Sequence, residues 1–191
     1  MYTTQRLMLR GYRPGNSDKD FILDLFQNHN VLVNLTEEYI TPNYHTNSDR
    51  LEAMIKCALF VVVEEKKGTS GQYLVGFALV DIKKPQHLDG HMGMALSEEH
   101  WGKGYGTEIL EWLKPFSFKT LGLRRLSLHV YSSNKAAIAL YKKTGFEVEG
   151  CIREALWKEG EWVDVIWMGI LSRDYYASID ADRLTGSDPL S

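Results

Sequence analysis

Apolar and polar positions alternate weakly over Gln5–Tyr12 and stop at Arg13-Pro14-Gly15, which predicts a first strand and a turn. Asn16 or Ser17 can then cap a helix with Phe21, Leu25 and the Ile22/Phe26 pair at helical spacing. Residues 29–46, with Pro42 among them, carry no period and read as irregular. Ser48 opens a second helical pattern through Leu51, Met54 and Ile55. Leu59–Glu65 and Tyr73–Ile82 are strand-like runs around a polar turn at Lys66–Gln72, a hairpin pattern. His91–Leu96 is a short strand that runs into a glycine-rich loop. Thr107–Thr120 is helical in pattern, and Pro115 is expected to bend or shorten it. Arg125–Tyr131 reads as a strand, Ser133–Thr144 as a helix ended by Gly145, and Phe146–Lys158 and Trp162–Leu171 as strands around "KEGEW". The order β-α-α-β-β-β-α-β-α-β-β predicts one mixed α/β domain over residues 1–177. From Ser178 to Ser191 the polar chain reads as a disordered tail.

Composition narrows the function. At 191 residues, 44% hydrophobic and 25% charged, the chain can bury one sizeable core. Its net charge of −3, without basic runs, argues against nucleic acid as a partner. No apolar run approaches the roughly 20 residues of a membrane helix, and the N-terminus has charges where a secretion signal needs apolar residues. The two cysteines, Cys57 and Cys151, lack metal-ligand spacing and are expected as free thiols. A cytoplasmic protein without a metal, monomeric or homodimeric, is the expectation.

The chemistry concentrates in "WGKGYG", Trp101–Gly106. A Walker loop would need a Gly-Lys-Ser/Thr ending, which is missing. A dinucleotide fingerprint would need a third glycine at 107, where Thr107 stands. A plain turn rarely needs three glycines. Placed before a helix N-terminus, side-chain-free residues let backbone amides approach a phosphate group without naming the ligand. Downstream, Asn134, Ala137, Leu140, Tyr141, Gly145 and Phe146 spell N-x-x-A-x-x-L-Y-x-x-x-G-F.

Together the two motifs resemble the GNAT superfamily of acyl-CoA N-acyltransferases. The resemblance runs from "RLMLRGYRPGNSDKDF" to "WVDVIWMGIL". The C-terminal part looks most like the branch holding ribosomal-protein N-terminal and spermidine acetyltransferases. It implies a central mixed, splayed sheet of about seven strands flanked by about four helices. The implied activity is transfer of an acetyl group from acetyl-CoA (coenzyme A) to a primary amine. That amine would be a small molecule, a polyamine or a peptide N-terminus, attacking directly in a ternary complex. A non-catalytic CoA-binding regulatory module is the alternative. One departure stands out: Trp101 occupies the place where the family carries Gln or Arg.

By the same resemblance, His91–Leu96 and Arg125–Tyr131 splay to admit the pantetheine arm. Backbone groups at Leu96 pair with that arm, and the Met94 amide polarises the thioester carbonyl. The amides of Gly102, Lys103, Gly104, Tyr105, Gly106 and Thr107 hold the pyrophosphate, and Lys103 either adds a charge or is merely solvated. Asn134 either caps its helix or touches the cofactor arm. Tyr141 matches the family's general acid. A phenol near 10 is no stronger an acid than a thiol near 8.5, so a hydrogen bond to the developing thiolate is its minimum role. His129 and His91 are the candidate bases, since an imidazole near 6.5 suits neutral pH. Segment 29–46 and the hairpin at 157–163 are expected at the acceptor site, offering Glu37, Glu38, Tyr39, Tyr44, Trp157 and Trp162. Glu98 and Glu99 read as solvated.

Overall fold

A computed structural model describes residues 1–38, 44–66 and 73–184. The strands are β1 (Tyr2–Thr3), β2 (Leu7–Gly11), β3 (Leu59–Glu65), β4 (Tyr73–Asp81), β5 (Asp89–Leu96), β6 (Arg125–Tyr131), β7 (Glu147–Lys158) and β8 (Glu161–Leu171). The α-helices are α1 (Asn16–Gln27), α2 (His29–Leu32), α3 (Tyr44–Met54), α4 (Tyr105–Pro115), α5 (Lys135–Lys143) and α6 (Ser172–Leu184). The strands form one sheet in the order β1-β2-β3-β4-β5-β6-β8-β7. Every neighbouring pair is antiparallel except β5 and β6.

Strand alternation sorts the core onto two faces. Val61 and Val63 of β3 join Leu7, Leu9 and Ile109 on the α4 side, and Phe60 and Val62 join Ile22, Phe26 and Leu51 beneath α1 and α3. This explains why "LFVVVEE" is a nearly unbroken apolar run: both of its faces are covered. Helix α4 buries Tyr105, Gly106, Ile109, Leu110 and Leu113, a stripe at helical spacing. A buried Arg10 ties three elements together, bonding Asp18 of α1 through both terminal nitrogens at 2.7 Å and Glu64 of β3 at 2.7 Å through Nε.

Several details depart from the sequence reading. Among the described residues the sheet has eight strands, the eighth being the two-residue β1, and six α-helices accompany it. Segment 29–46 includes one turn of helix, α2, capped by Asn28, whose side chain accepts from the Val31 amide, and the start of α3, which opens at Tyr44 and not at Ser48. Helix α1 starts at Asn16 with Gly15 in the cap position, so neither Asn16 nor Ser17 precedes it. Pro115 ends α4, and the chain continues as a π-helical turn, Phe116–Thr120. The tail boundary at 178 falls inside α6, which Tyr175 anchors against Phe118 at 5.1 Å between ring centres. Residues 185–191, Tyr39 and most of the turn at Lys66–Gln72 lie outside the described residues. Among the described residues no helix is long and apolar enough to cross a membrane.

The one parallel pairing is short. It covers only Asp89↔Arg125, Gly90↔Leu126 and His91↔Ser127, although β5 runs on to Leu96 and β6 to Tyr131. Past His91 and Ser127 the two strands fork.

Candidate active site

The β4–β5 register sets what faces the fork. Ser97 N–H donates to Val75 O at 2.9 Å, making that a bonded pair. Bonded and non-bonded pairs alternate in an antiparallel ladder. Leu96↔Gly76, Met94↔Ala78 and Met92↔Val80 are therefore non-bonded pairs. Their N–H and C=O groups turn away from β4 and toward β6, which at Met94 and Leu96 has already diverged.

At the end of β5 the chain enters the glycine loop. Gly102 and Gly104 have φ of +71° and +80°, a region that side chains disfavour. The first bond of α4 runs from Glu108 N–H to Gly104 O at 3.3 Å. The amides of Gly102, Lys103, Gly104, Tyr105, Gly106 and Thr107 meet no acceptor among the described residues. Six unpartnered donors at a helix N-terminus, where the dipole is positive, form a cradle for an anion. Only the Tyr105 amide serves that cradle; its ring is buried and its hydroxyl donates to Glu65 at 2.5 Å. Gly106 lets α4 approach α5, since a Cβ there would lie 2.7 Å from Leu140.

Trp101 has a definite place. Its indole N–H donates to Leu96 O at 2.9 Å, capping a carbonyl that faces the fork, and the ring is 44% exposed. Asn134 caps α5, its Oδ1 accepting from the Ala137 amide at 3.0 Å. Tyr141 of α5 is 8% exposed, and its hydroxyl has no hydrogen-bond partner among the described residues. Burial pushes its phenol up to about 12.

His91 and His129 meet across the fork. Their rings stack with centres 5.1 Å apart, and His91 Nε2 lies 3.1 Å from His129 Nδ1. Trp167 of β8, in register with His129, closes the pair at 5.6 and 5.5 Å. The hydrogen-bond network selects a tautomer. Ser127 Oγ donates to Gly90 O at 3.2 Å or Asp89 Oδ1 at 3.3 Å, which leaves its lone pair for His91 Nδ1–H at 3.5 Å. His91 Nε2 then accepts from His129 Nδ1–H. The free lone pair is on His129 Nε2, with Glu37 Oε1 3.6 Å away. Burial lowers the His91 pKa to about 4, helped by His129, and burial lowers that of His129 against the opposing pull of Glu37. Both rings are neutral at neutral pH.

Segment 29–38 and the β7–β8 hairpin are fastened over this side. Lys158 Nζ donates to the carbonyls of Val33, at 2.7 Å, and Thr36, and lies 3.8 Å above the Tyr131 ring. Burial lowers the Lys158 pKa to about 8. Glu38 pairs with Arg50 at 3.0 Å, and Glu37 is the carboxylate that reaches the His129 imidazole. Trp157 and Trp162 sit exposed at the hairpin tip, 5.2 Å apart, and Glu98 accepts from Asn30 at 3.0 Å. Trp167, Ser127 and Lys158 had no signal in the linear sequence. Only the β6–β8 register, once known, brings Trp167 beside His129.

A model described as "Acetyltransferase (GNAT) family" matches residues 28–146, more than half of the chain. The spermidine N(1)-acetyltransferase of Vibrio cholerae is 29% identical over 89% of this chain and 95% of its own. YokL of Bacillus subtilis, an uncharacterized N-acetyltransferase, is 30% identical over 91% and 94%. Among solved structures, a Vibrio cholerae spermidine N-acetyltransferase in complex with CoA and spermine superposes with a TM-score of 0.75. That match is at 26% identity and covers 89% of this chain and 98% of the other.

Proposed function

The chain belongs to the acetyltransferase (GNAT) family, and from that premise we propose that it transfers the acetyl group of acetyl-CoA to a primary amine, with a polyamine as acceptor. The observation that carries this reading is the junction of two features: six amides at the start of α4 without a partner among the described residues, and a fork past which β5 and β6 no longer pair, with only the Leu96 carbonyl of its edge capped, by Trp101. The amides of 102–107 fit a diphosphate, and the fork edge at Met94 and Leu96 fits an amide-bearing arm. When bound, acetyl-CoA supplies an acetyl group activated as a thioester. The Met94 N–H, turned into the fork, is placed to donate to the carbonyl that gains charge on attack. Asn134 serves this site as the cap that fixes the start of α5.

His129 Nε2 takes the proton that the bound ammonium loses before its nitrogen, now an amine, attacks the thioester carbonyl. His91 accepts from His129 Nδ1 and holds the ring, and Glu37 stabilises the imidazolium that forms. Tyr141 donates a hydrogen bond to the departing sulfur. With its phenol at about 12 against a thiol near 8.5, full transfer of its proton is uphill by about 5 kcal/mol. Direct attack is favoured over an acyl-enzyme because Cys151 lies on the outer strand β7 and burial raises the Cys57 pKa. The names of the relatives, and the Glu37 carboxylate beside the base, support a cationic polyamine.

The test is release of CoA thiol across polyamines, amino acids, aminosugars and N-terminal peptides. Turnover with spermidine or spermine and intersecting initial-velocity lines are expected. CoA binding without turnover of any amine would establish a binding module instead.

A further inference from the structure

We propose that Arg6, between the first two strands, is a positioning residue of the phosphate cradle: it holds the Lys103 carbonyl on the sheet side and so turns the Gly104 amide toward the ligand. This rests on reading residues 102–107 as the diphosphate site. Three contacts fix the guanidinium. Its Nε donates to Glu108 Oε2 at 2.8 Å, its Nη1 donates to Lys103 O at 2.8 Å, and its face lies 4.7 Å from the centre of the Tyr105 ring. Glu108, buried in the first turn of α4, also accepts from the Arg6 amide at 2.6 Å and from the Thr4 hydroxyl. Tyr105 is held in turn by Glu65.

The peptide joining Lys103 and Gly104 is planar and trans, so its C=O and N–H point in opposite directions. Whatever holds the carbonyl aims the amide. That peptide needs holding, because Gly104 has φ +80° and ψ 4°, the values of the third residue of a type II turn. The central peptide of such a turn can rotate to the type I orientation, and glycine accepts both. Rotated, the loop would present a carbonyl oxygen to the phosphates instead of an N–H. The Arg6 Nη1 bond selects the productive orientation. Its anchor on Glu108 sits in the same helix whose N-terminus makes the cradle.

The experiment compares wild type, Arg6→Met, Arg6→Lys and Thr4→Val by calorimetric CoA binding. Steady-state kinetics are run with acetyl-CoA and with S-acetylpantetheine, which lacks phosphate. Arg6→Met is expected to weaken CoA by about tenfold and to raise the KM for acetyl-CoA in step, with kcat within about twofold. Its kcat/KM for S-acetylpantetheine should match wild type. Arg6→Lys keeps the charge but cannot reach Glu108 and Lys103 together, so it should fall between. Thr4→Val, which loses the hydroxyl contacts to Glu108 and Leu7 but none to Lys103, should lower the melting temperature and leave CoA affinity unchanged. An equal loss with both acyl donors, or unaltered CoA affinity in both Arg6 variants, overturns the proposal. If wild type itself bound no CoA, the family-based reading of the loop would fall first.

Discussion

Tyr141 shows how a motif residue acquires its role from its surroundings. In the sequence it is a tyrosine at a motif position. In the fold it is a phenol within the α4–α5 core, with its hydroxyl unpartnered and its pKa near 12. A donor that keeps its proton stabilises charge on sulfur only during departure. Tyr141→Phe is therefore expected to lower kcat by about 10²-fold, within the usual range for such groups, and to leave the KM for acetyl-CoA nearly constant. An undiminished kcat would end that assignment. His129 allows a second check. Its pKa lies below 6.5, so kcat at saturating amine should be flat down to that pH and fall beneath it as the base is protonated. His129→Gln should lower the plateau and remove that acid limb. Persistence of the limb in the variant would move the role to another group.

At the scale of elements, the loop between β5 and α4 carries most of the proposed cofactor site. Its geometry requires glycine where φ is positive and an open path where a ligand approaches. Gly104→Ala places a Cβ 3.4 Å from the Arg6 guanidinium and forces alanine into the left-handed region. The strain amounts to about 1–2 kcal/mol. Loss of CoA affinity on that scale is expected, with melting temperature and affinity falling together. An alanine variant that binds CoA normally would mean the loop adapts. The motif in this stretch was legible because backbone chemistry leaves a residue-level mark, glycine where the chain takes positive φ. The fork left no such mark. It arises from where two strands stop pairing, and no residue at Met92–Leu96 announces it.

At the scale of the whole molecule, the histidine pair makes stability depend on pH. An unfolded histidine titrates near 6.5, whereas His91 in the fold titrates near 4. Above 6.5 both states are neutral and the fold keeps its full stability. As pH falls from 6.5 toward about 4, the unfolded state takes up protons that the fold refuses, and stability drops by up to about 3 kcal/mol. Denaturant melts across that window should show this loss, reduced in His91→Gln. A variant with the same acid sensitivity as wild type would place its origin elsewhere. The tethers that fasten the acceptor side, such as Lys158 on Val33 and Thr36, join positions more than a hundred residues apart.

The sequence by itself determined the mixed α/β class, the glycine loop ahead of a helix and the motif residues Asn134 and Tyr141. Each of these is written in local backbone demands or in spacing along one element. It also placed His91 and His129 among the candidates, though not beside each other. Only the tertiary structure decided that the two imidazoles share a hydrogen bond, that Glu37 rather than Glu38 reaches His129, and that Trp101 caps Leu96. It likewise decided that Arg6 braces the loop from 97 residues away. The physical reason is the same in each case: these contacts are set by strand register and by where pairing ends, and both are properties of the assembled sheet.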